Sequence, residues 1–301
     1  MSVRLRIICS VCLAIFIAIG IICKVIKCQE PDLTQSVPPQ VSVYFQDKNT
    51  ILLVSFDEFL TGCIRGMLPH GENPSSESLS AIAAAMKTQM LYHIFNSDEK
   101  KSSNSFSADF VAGEIFPYTP DNGDLALNEK LRQAVQYAHP LTINGNLFDC
   151  KVCKISTGIT EPYPHCPSVP LLCDIGVAGS ISRYAFTTEE VLRKTCTSQA
   201  PADCGNWFTN AVYENTALLK SINFCSRELS GEELQSLFNL PSRAITIEYT
   251  DDLFYFSCKG CGENAGLSVN AAVFLAKSGY SAEEIAAFFY PEAEYKSAYI
   301  D

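Results

Sequence analysis

The sequence GENAGLSVNAA, at residues 262–272, decides the expected fold of the C-terminal part of the chain. Its two glycines, Gly262 and Gly266, are typical of a tight turn, since glycine adopts backbone conformations that other residues avoid. Ser281 and Glu284 then form a capping box, in which each side chain caps a backbone amide at the start of a helix. The sequence therefore predicts a tight loop and, after Ser281, a short helix.

The rest of the chain shows the same mixture of short helices and short strands. Further capping boxes predict helices after Thr187 and Ser230, and apolar residues at helical spacing predict helices from Asn73 and over 125–138. Strand patterns, the first two of which flank a polar turn typical of a hairpin, occur at 41–45, 51–55, 147–155, 244–248 and 253–257. The sequence thus predicts an α+β fold in which short helices pack on antiparallel strands.

The N-terminus has the pattern of a membrane anchor. An uncharged apolar run at residues 7–23 follows Arg4 and Arg6, and with the residues beyond Lys24 it approaches the roughly 20 residues that cross a bilayer. No small-x-small cleavage site follows, which favours an uncleaved signal anchor over a cleaved signal peptide. The positive flank predicts a single-pass cell-membrane protein with a cytoplasmic N-terminus and an extracytoplasmic chain after Cys28. The expected divisions are a cytoplasmic tip and transmembrane helix (1–28), a linker (29–40), one mixed domain (41–296) and a tail (297–301).

The charge of the chain excludes nucleic acid as an expected partner. The formal net charge is −11. Without the four basic residues of the N-terminal segment, 18 basic residues face 33 acidic ones, which gives −15. Phosphate binding requires a basic face, and this composition does not supply one.

The ten cysteines that follow residue 28 leave two interpretations open. They can form disulfides outside the cytoplasm, or they can be buried as small hydrophobic residues. The pairs Cys150/Cys153 and Cys258/Cys261 have the spacing of a zinc site, but the strand-like run around the first pair sends its side chains to opposite faces. The four histidines are dispersed, and we expect no metal and no cofactor.

A motif near the start of the expected domain carries a family resemblance. The segment FDEFLTGCIRGMLP (56–69) resembles the opening motif of the stage II sporulation protein D family, also called the amidase-enhancer family. That motif reads acidic-Glu-Tyr-Leu-x-Gly-Val-Val-x-x-Glu-Met-Pro. Four more pieces follow in the family order, at 81–91, 134–160, 227–242 and 262–291, so that the resemblance covers roughly residues 41–295.

The resemblance implies a site but also removes its essential acid. Members of the family resemble lytic transglycosylases, which cleave peptide-free peptidoglycan strands with one carboxyl and the sugar's own hydroxyl as nucleophile. The family glutamate falls on Met67, whose thioether cannot transfer a proton at neutral pH. Glu263, at the family histidine, and Glu72 are the alternative acids. The expected glycan groove consists of Lys87, at the family arginine, with Gly262, Gly266 and Ser268, which keep the family residues.

Three functions follow from this resemblance as expectations. The first is a catalytically degenerate protein of sporulation and engulfment that binds peptidoglycan glycan strands, or that acts with a wall amidase and other membrane proteins of engulfment. The second is an active lytic transglycosylase with a relocated acid, Glu263 or Glu72. The third is a structural membrane protein without affinity for the wall. A carboxylate in the groove beside Lys87 and Ser268 would favour the second.

Overall fold

Seven α-helices lie in the described part of the chain, together with two single-turn 3-10 helices, Leu172–Asp174 and Cys204–Asn206. The computed structural model describes residues 37–46, 48–69, 71, 73–96, 101–103, 106–113, 116–121, 123–197 and 203–296. The helices are α1 (Phe56–Met67), α2 (Ser76–Asn96), α3 (Leu125–Tyr137), α4 (Thr188–Lys194), α5 (Gly231–Phe238), α6 (Val269–Lys277) and α7 (Ala282–Phe289).

The strands are short and belong to several small sheets. They are β1 (Gln40–Phe45), β2 (Thr50–Ser55), β3 (Lys101–Ser103), β4 (Phe106–Ala108), β5 (Phe110–Ala112), β6 (Val152–Cys153), β7 (Ile181–Thr187), β8 (Phe208–Tyr213), β9 (Leu219–Phe224), β10 (Arg227–Ser230), β11 (Ala244–Thr250), β12 (Leu253–Lys259) and β13 (Leu267–Ser268). Of the strand expected over 147–155, Val152–Cys153 forms a strand paired with β13, and Ile155 adds an isolated antiparallel bridge to Cys261.

Three sheets have three strands each. The first has the order β2-β1-β5, in which β1 is antiparallel to β2 and parallel to β5. The orders β10-β9-β8 and β11-β12-β7 are antiparallel throughout. The predicted hairpin of β1 and β2 is confirmed, with Phe45 opposite Thr50. The strands predicted near 244 and 253 form a second hairpin, with Thr250 opposite Leu253.

The three capping-box sites each start a helix, as predicted. At Thr187 and at Ser281 both bonds of the box are present. At α5 the Ser230 hydroxyl accepts a bond from the Glu233 amide, but the Glu233 carboxylate contacts Arg227 instead of returning to the cap. Helix α3 spans almost the predicted range and is capped by the Asp124 side chain.

Helix α2 lies at the centre of the first core, which we call the helical core. The helical spacing of the apolar residues that predicts this helix also predicts that it has a single buried face. That prediction is wrong, because nearly every residue from Ser78 to Leu91 is buried. Helices α1, α3, α6 and α7 and strand β6 surround it, and its run of alanines at 81 and 83–85 lets them approach closely. The helix begins at Ser76 rather than at Asn73.

A second core, which we call the aromatic core, is built from the β11-β12-β7 and β10-β9-β8 sheets with α4 and α5. Trp207, Phe224, Phe238, Phe254 and Phe256 are buried in it. Their rings pack edge to face or stacked, with centroids between 4.5 Å, for Phe238 and Phe256, and 6.1 Å, for Trp207 and Phe224. Such aromatic pairs stabilise a core beyond the area they bury.

The predicted fold class, a transmembrane helix ahead of the mixed domain, requires correction, as does the predicted single-pass localisation. The structure is mixed, with about 29% strand and 35% helix. Among the helices of residues 37–296 that the structure describes, none is both long enough and apolar enough to cross a membrane. The longest, α2, has 21 residues but includes Glu77, Lys87 and Gln89, which a hydrocarbon environment disfavours. The predicted anchor at 1–28, the linker up to residue 36 and the tail at 297–301 lie outside the described residues.

Candidate functional site

A cavity of about 340 Å³ opens where the helical and aromatic cores meet. One wall is the segment 161–163, and another is the loop that begins at Gly262. The third wall lies on the side of the aromatic core and consists of Arg243 together with Glu232 and Gln235 of α5. The volume falls within the range of ligand pockets, roughly 300–1,000 Å³. Carboxylates, one guanidinium and one tyrosine ring therefore face a common space.

Asn264 fixes the position of the Gly262–Gly266 loop. Its backbone has φ 58°, and the residue is almost completely buried. Its side-chain amide donates to the Thr157 hydroxyl (3.2 Å) and to the Ile159 carbonyl (3.0 Å), and its Oδ1 accepts from the Thr157 amide (2.9 Å). Its carbonyl accepts from the Glu161 amide (2.7 Å). These bonds join the loop to the cavity wall that carries Glu161.

Gly266 ends the loop in a place that excludes any side chain. Its φ is 65°, and a Cβ atom there would lie 1.9 Å from the Lys151 carbonyl oxygen and 3.1 Å from the Tyr290 hydroxyl. The buried Tyr290 hydroxyl donates to the same carbonyl (2.5 Å) and accepts from the Leu267 amide (3.0 Å). The glycine is therefore required for the loop to pack against the strand segment at Lys151.

A network of four side chains, which we call the ridge, borders the cavity. The ammonium group of Lys151 lies 3.1 Å from the Glu263 carboxylate and 3.2 Å from Asp149, and 4.8 Å from the centre of the Tyr163 ring. The Tyr163 hydroxyl donates to Asp149 (2.8 Å). Burial lowers the pKa of Lys151, but Glu263 and Asp149 more than offset it, so that the net shift is upward. The ridge thus holds Tyr163 and Glu263 in fixed positions.

Glu161 is the carboxyl group with the least ordinary environment in the cavity. Its Oε1 atom is fully buried and receives no bond from a donor among the described residues. Desolvation raises the pKa of Glu161, and the neighbouring Glu214 carboxylate raises it further, while Arg243 opposes the shift. The Arg243 guanidinium also forms ion pairs with Glu232 (3.3 Å) and Glu214 (4.0 Å). Sequence reasoning missed Glu161, because nothing in its local pattern shows that Glu214 folds against it.

A second cavity of about 250 Å³ lies on the other side of the ridge. Lys151 and Asp149 line it, together with residues from the C-terminal half of α2 and with Phe116. Gln89, Tyr92, His93 and Asn96 are the α2 residues concerned. The ridge therefore separates two adjacent openings rather than closing a single one.

Met67, at the position of the family acid, does not reach either cavity wall. It is the last residue of α1, only 4% exposed, and belongs to the helical core. Glu72, one of the two alternative acids, lies outside the described residues. Glu263, the other, lines the first cavity with its side chain 45% exposed and paired with Lys151.

The four predicted groove residues do not come together. Gly262 lines the first cavity with φ 103°, and Gly266 packs behind the same loop. Lys87 instead donates to the carbonyls of Ala138 (3.1 Å) and Val135 (3.4 Å) at the end of α3, and burial lowers its pKa, against the opposing effect of Asp57. Ser268 is fully buried and caps α6 by accepting from the Ala271 amide.

The ten cysteines after residue 28 are free thiols in the structure. Cys150 and Cys153 are both buried, but their surroundings differ. Burial raises the pKa of each, with the Tyr290 hydroxyl beside the first and Asp174 beside the second. Within the residues that the structure describes, no group of three or more His, Cys, Asp or Glu side chains is arranged to hold a metal ion.

Comparison with known proteins adds no family to this geometry. No protein-family model matches the chain, and no curated protein is significantly similar to it.

Proposed function

We propose that this chain binds peptide-free glycan strands of peptidoglycan in the cavity between its two cores, in the setting of sporulation. The single observation that carries the proposal is the cavity itself, where Tyr163, Glu161, Glu263 and Arg243 face one space. The sequence resemblance supplies the ligand class. The buried Met67 favours binding over the ordinary chemistry of the family, because a thioether in a core neither contacts a ligand nor moves a proton.

The chemistry of the cavity suits a sugar. Amino sugars present hydroxyl and amide groups around the ring and C–H groups on its faces. Glu263, Arg243 and Gln235 supply acceptors and donors for the polar groups, and the partly exposed Tyr163 ring supplies a flat apolar surface. Because the ridge holds Tyr163 by its hydroxyl, binding would cost little side-chain ordering.

The two adjacent cavities suit a polymer better than a small molecule. A strand that crosses the ridge would place successive sugars in the openings on either side of Lys151. The same surface offers a role alongside a wall amidase, since a protein that holds stripped strands stays where such an enzyme has acted.

The test is a pull-down of the purified full chain on immobilised peptide-free glycan strands, with soluble strands as competitor. We expect saturable binding and a loss of about tenfold in affinity for Tyr163→Ala, because one aromatic contact is typically worth roughly that factor. Tyr163→Phe keeps the ring and loses only the bond to Asp149. Its affinity should therefore lie between that of the unmodified chain and that of Tyr163→Ala.

Tyr280→Ala is the matched control, because Tyr280 is similarly exposed, at 44% against 38%, but lies outside both cavities. It should bind like the unmodified chain. Absence of binding by the unmodified chain, or equal binding by Tyr163→Ala, would overturn the proposal.

A further inference from the structure

We propose that Cys150 and Cys166 form a structural disulfide bond that ties together the two segments carrying most of the ridge. Both residues are free thiols in the structure, so the proposal concerns the oxidised form of the chain. The bond is a covalent modification of the chain itself and does not depend on the ligand of the cavity. It can therefore be tested apart from glycan binding.

The two segments that contain these cysteines lie side by side. The Tyr163 hydroxyl donates to the Asp149 carboxylate (2.8 Å). The rings of Phe148 and His165 meet edge to face, with their centroids 6.0 Å apart. Both contacts join residues just before the first cysteine to residues just before the second. A disulfide requires two Cα atoms within roughly 7 Å of each other, which only closely packed segments can provide.

The two thiols lie around one peptide group in the helical core, and both are fully buried. Burial raises the pKa of Cys166, against a hydrogen bond from the Lys151 backbone amide. That bond places the Cys166 sulfur beside the peptide group that follows Cys150. Burial also raises the pKa of Cys150, against a hydrogen bond with the Tyr290 hydroxyl, and the nearby Cys166 thiol raises it further. The Tyr290 hydroxyl in turn donates to the Lys151 carbonyl (2.5 Å).

Other buried thiols have different surroundings. The pKa of Cys63, on α1, and that of Cys258, on β12, are raised by burial alone. Those two residues fit the interpretation of cysteine as a small hydrophobic side chain. Cys150 and Cys166 differ because the second thiol contributes to the environment of the first.

The chain between the two cysteines is where a cross-link has most to add. Residues 154–171, which the structure describes in full, form no helix or strand but only turns and isolated bridges. Four prolines, at 162, 164, 167 and 170, each lack a backbone donor there. A bond between Cys150 and Cys166 closes a loop of about 15 residues and restricts the unfolded chain where few backbone bonds restrict the folded one.

The bond would fix the ridge from below. Asp149 and Lys151 flank the first cysteine, and Tyr163 lies three residues before the second. The remaining member, Glu263, is held by its ion pair with Lys151 (3.1 Å). A covalent link between the two segments therefore keeps the Tyr163 ring and the Lys151 ammonium in one arrangement.

The oxidation balances with a small-molecule disulfide, such as oxidised glutathione, as the oxidant. One cysteine thiolate attacks a sulfur of that disulfide and releases one thiol. The other thiolate then attacks the mixed disulfide and releases the second thiol. Two protein thiols are oxidised, one disulfide is reduced to two thiols, and the two protons of the protein thiols go to the released ones. Because both thiols are buried in the folded chain, the bond has to form during folding.

The first experiment maps the bond in the full chain. The chain is refolded from denaturant in a mixture of reduced and oxidised glutathione, its free thiols are alkylated, and it is digested without reduction. We expect mass spectrometry to find a peptide of Cys150 linked to a peptide of Cys166. In the folded state the bond should resist added reductant, because its sulfurs are buried. A bond from either cysteine to any other residue, or two alkylated thiols, would overturn the proposal.

The second experiment compares melting temperatures after refolding with the glutathione mixture and after refolding in strong reductant. Loss of the bond should lower the melting temperature of the unmodified chain by about 6–10 °C more than that of Cys166→Ala, as expected for a loop of this length. Cys63→Ala is the matched control, since it removes a buried thiol from the same core, and its redox-dependent shift should equal that of the unmodified chain. An equal shift in Cys166→Ala would show that the bond does not stabilise the fold.

A third measurement tests the effect on the ridge. Hydrogen exchange of the amides of Tyr163 and Cys166, which pair with each other across a turn (both bonds 2.8 Å), should be faster in the reduced chain. Unchanged exchange would overturn the role of the bond at the ridge. Failure of the chain to bind glycan strands would overturn the proposed function and leave this bond standing.

Discussion

The helical core and the aromatic core differ in what they do with their polar residues. The helical core takes in Met67, and on its helices Lys87 caps α3 and Ser268 caps α6. The aromatic core buries phenylalanines and a tryptophan and leaves Arg243 and Glu232 at its boundary. Lys87 and Ser268 therefore stabilise the first core, whereas the cavity and its charged side chains lie where the two cores meet.

The greatest loss of stability is expected when a carboxyl is placed at residue 67 in the helical core. Met67→Glu places a carboxyl among buried apolar side chains, and burial can raise a carboxyl pKa by several units, so we expect a loss of about 4 kcal/mol of stability at neutral pH. Met67→Leu should cost less than about 1.5 kcal/mol. Chemical denaturation measures both. Gain of strand cleavage in a stable Met67→Glu protein would show instead that residue 67 faces the ligand.

Gly266→Ala tests the loop that joins the two cores. The added Cβ would meet the Lys151 carbonyl at a φ that favours glycine, so we expect a loss of about 3 kcal/mol. Binding of glycan strands should weaken as well, because Glu263 moves with the loop. Gly279→Ala, at a glycine with positive φ and no atom near its added Cβ, is the control and should cost less. Equal losses of stability in the two variants would mean that the contact with the Lys151 carbonyl does not contribute to the loss in Gly266→Ala.

Lys87→Met tests whether Lys87 has a structural role. The methionine keeps the apolar part of the side chain and removes the two bonds to the end of α3, so we expect a loss of about 1.5 kcal/mol. Strand binding should not change, because Lys87 lines neither cavity. A clear loss of affinity in a variant that melts normally would place Lys87 at the ligand instead.

The smallest expected effect concerns the pH dependence of stability at Glu161. A carboxyl with a raised pKa in the folded state binds more protons when folded than when unfolded. Folding stability therefore falls as pH rises from about 4.3 through the folded pKa, and the penalty persists above it. Glu161→Gln removes this penalty, so the variant should be more stable at neutral pH by up to about 1 kcal/mol and similar near pH 4. Denaturation at several pH values measures it, and an unchanged difference across the range would contradict the carboxyl pair.

Local signals predicted most of the elements. The turn between β1 and β2, the capping residues before α4, α5 and α7, and the range of α3 could all be read along the chain, because each depends on neighbours within a few residues. Contacts between distant parts of the chain determined the features that local signals did not predict. Helix α2 carries the spacing of a one-sided helix, but it is buried on nearly every side because four other helices pack around it.

The site was predicted only in part, for the same reason. Gly262 and Glu263 lie on one loop that the sequence marks by its glycines, and the structure places both at the cavity. Glu161 lies about a hundred residues earlier in the chain, and Arg243 comes from a third segment. No spacing rule connects such segments, because they meet only through the bonds of Asn264 and the packing of the two cores.

The local elements, the negative charge and the thioether at position 67 follow from the sequence alone, since these depend on residue identity and on near neighbours. Long-range packing selected which polar residues became structural and which reached a common cavity. The physical reason is that burial and the approach of distant charges set the protonation and the accessibility of a side chain. Protonation and accessibility are properties of the folded chain and not of the order of its residues.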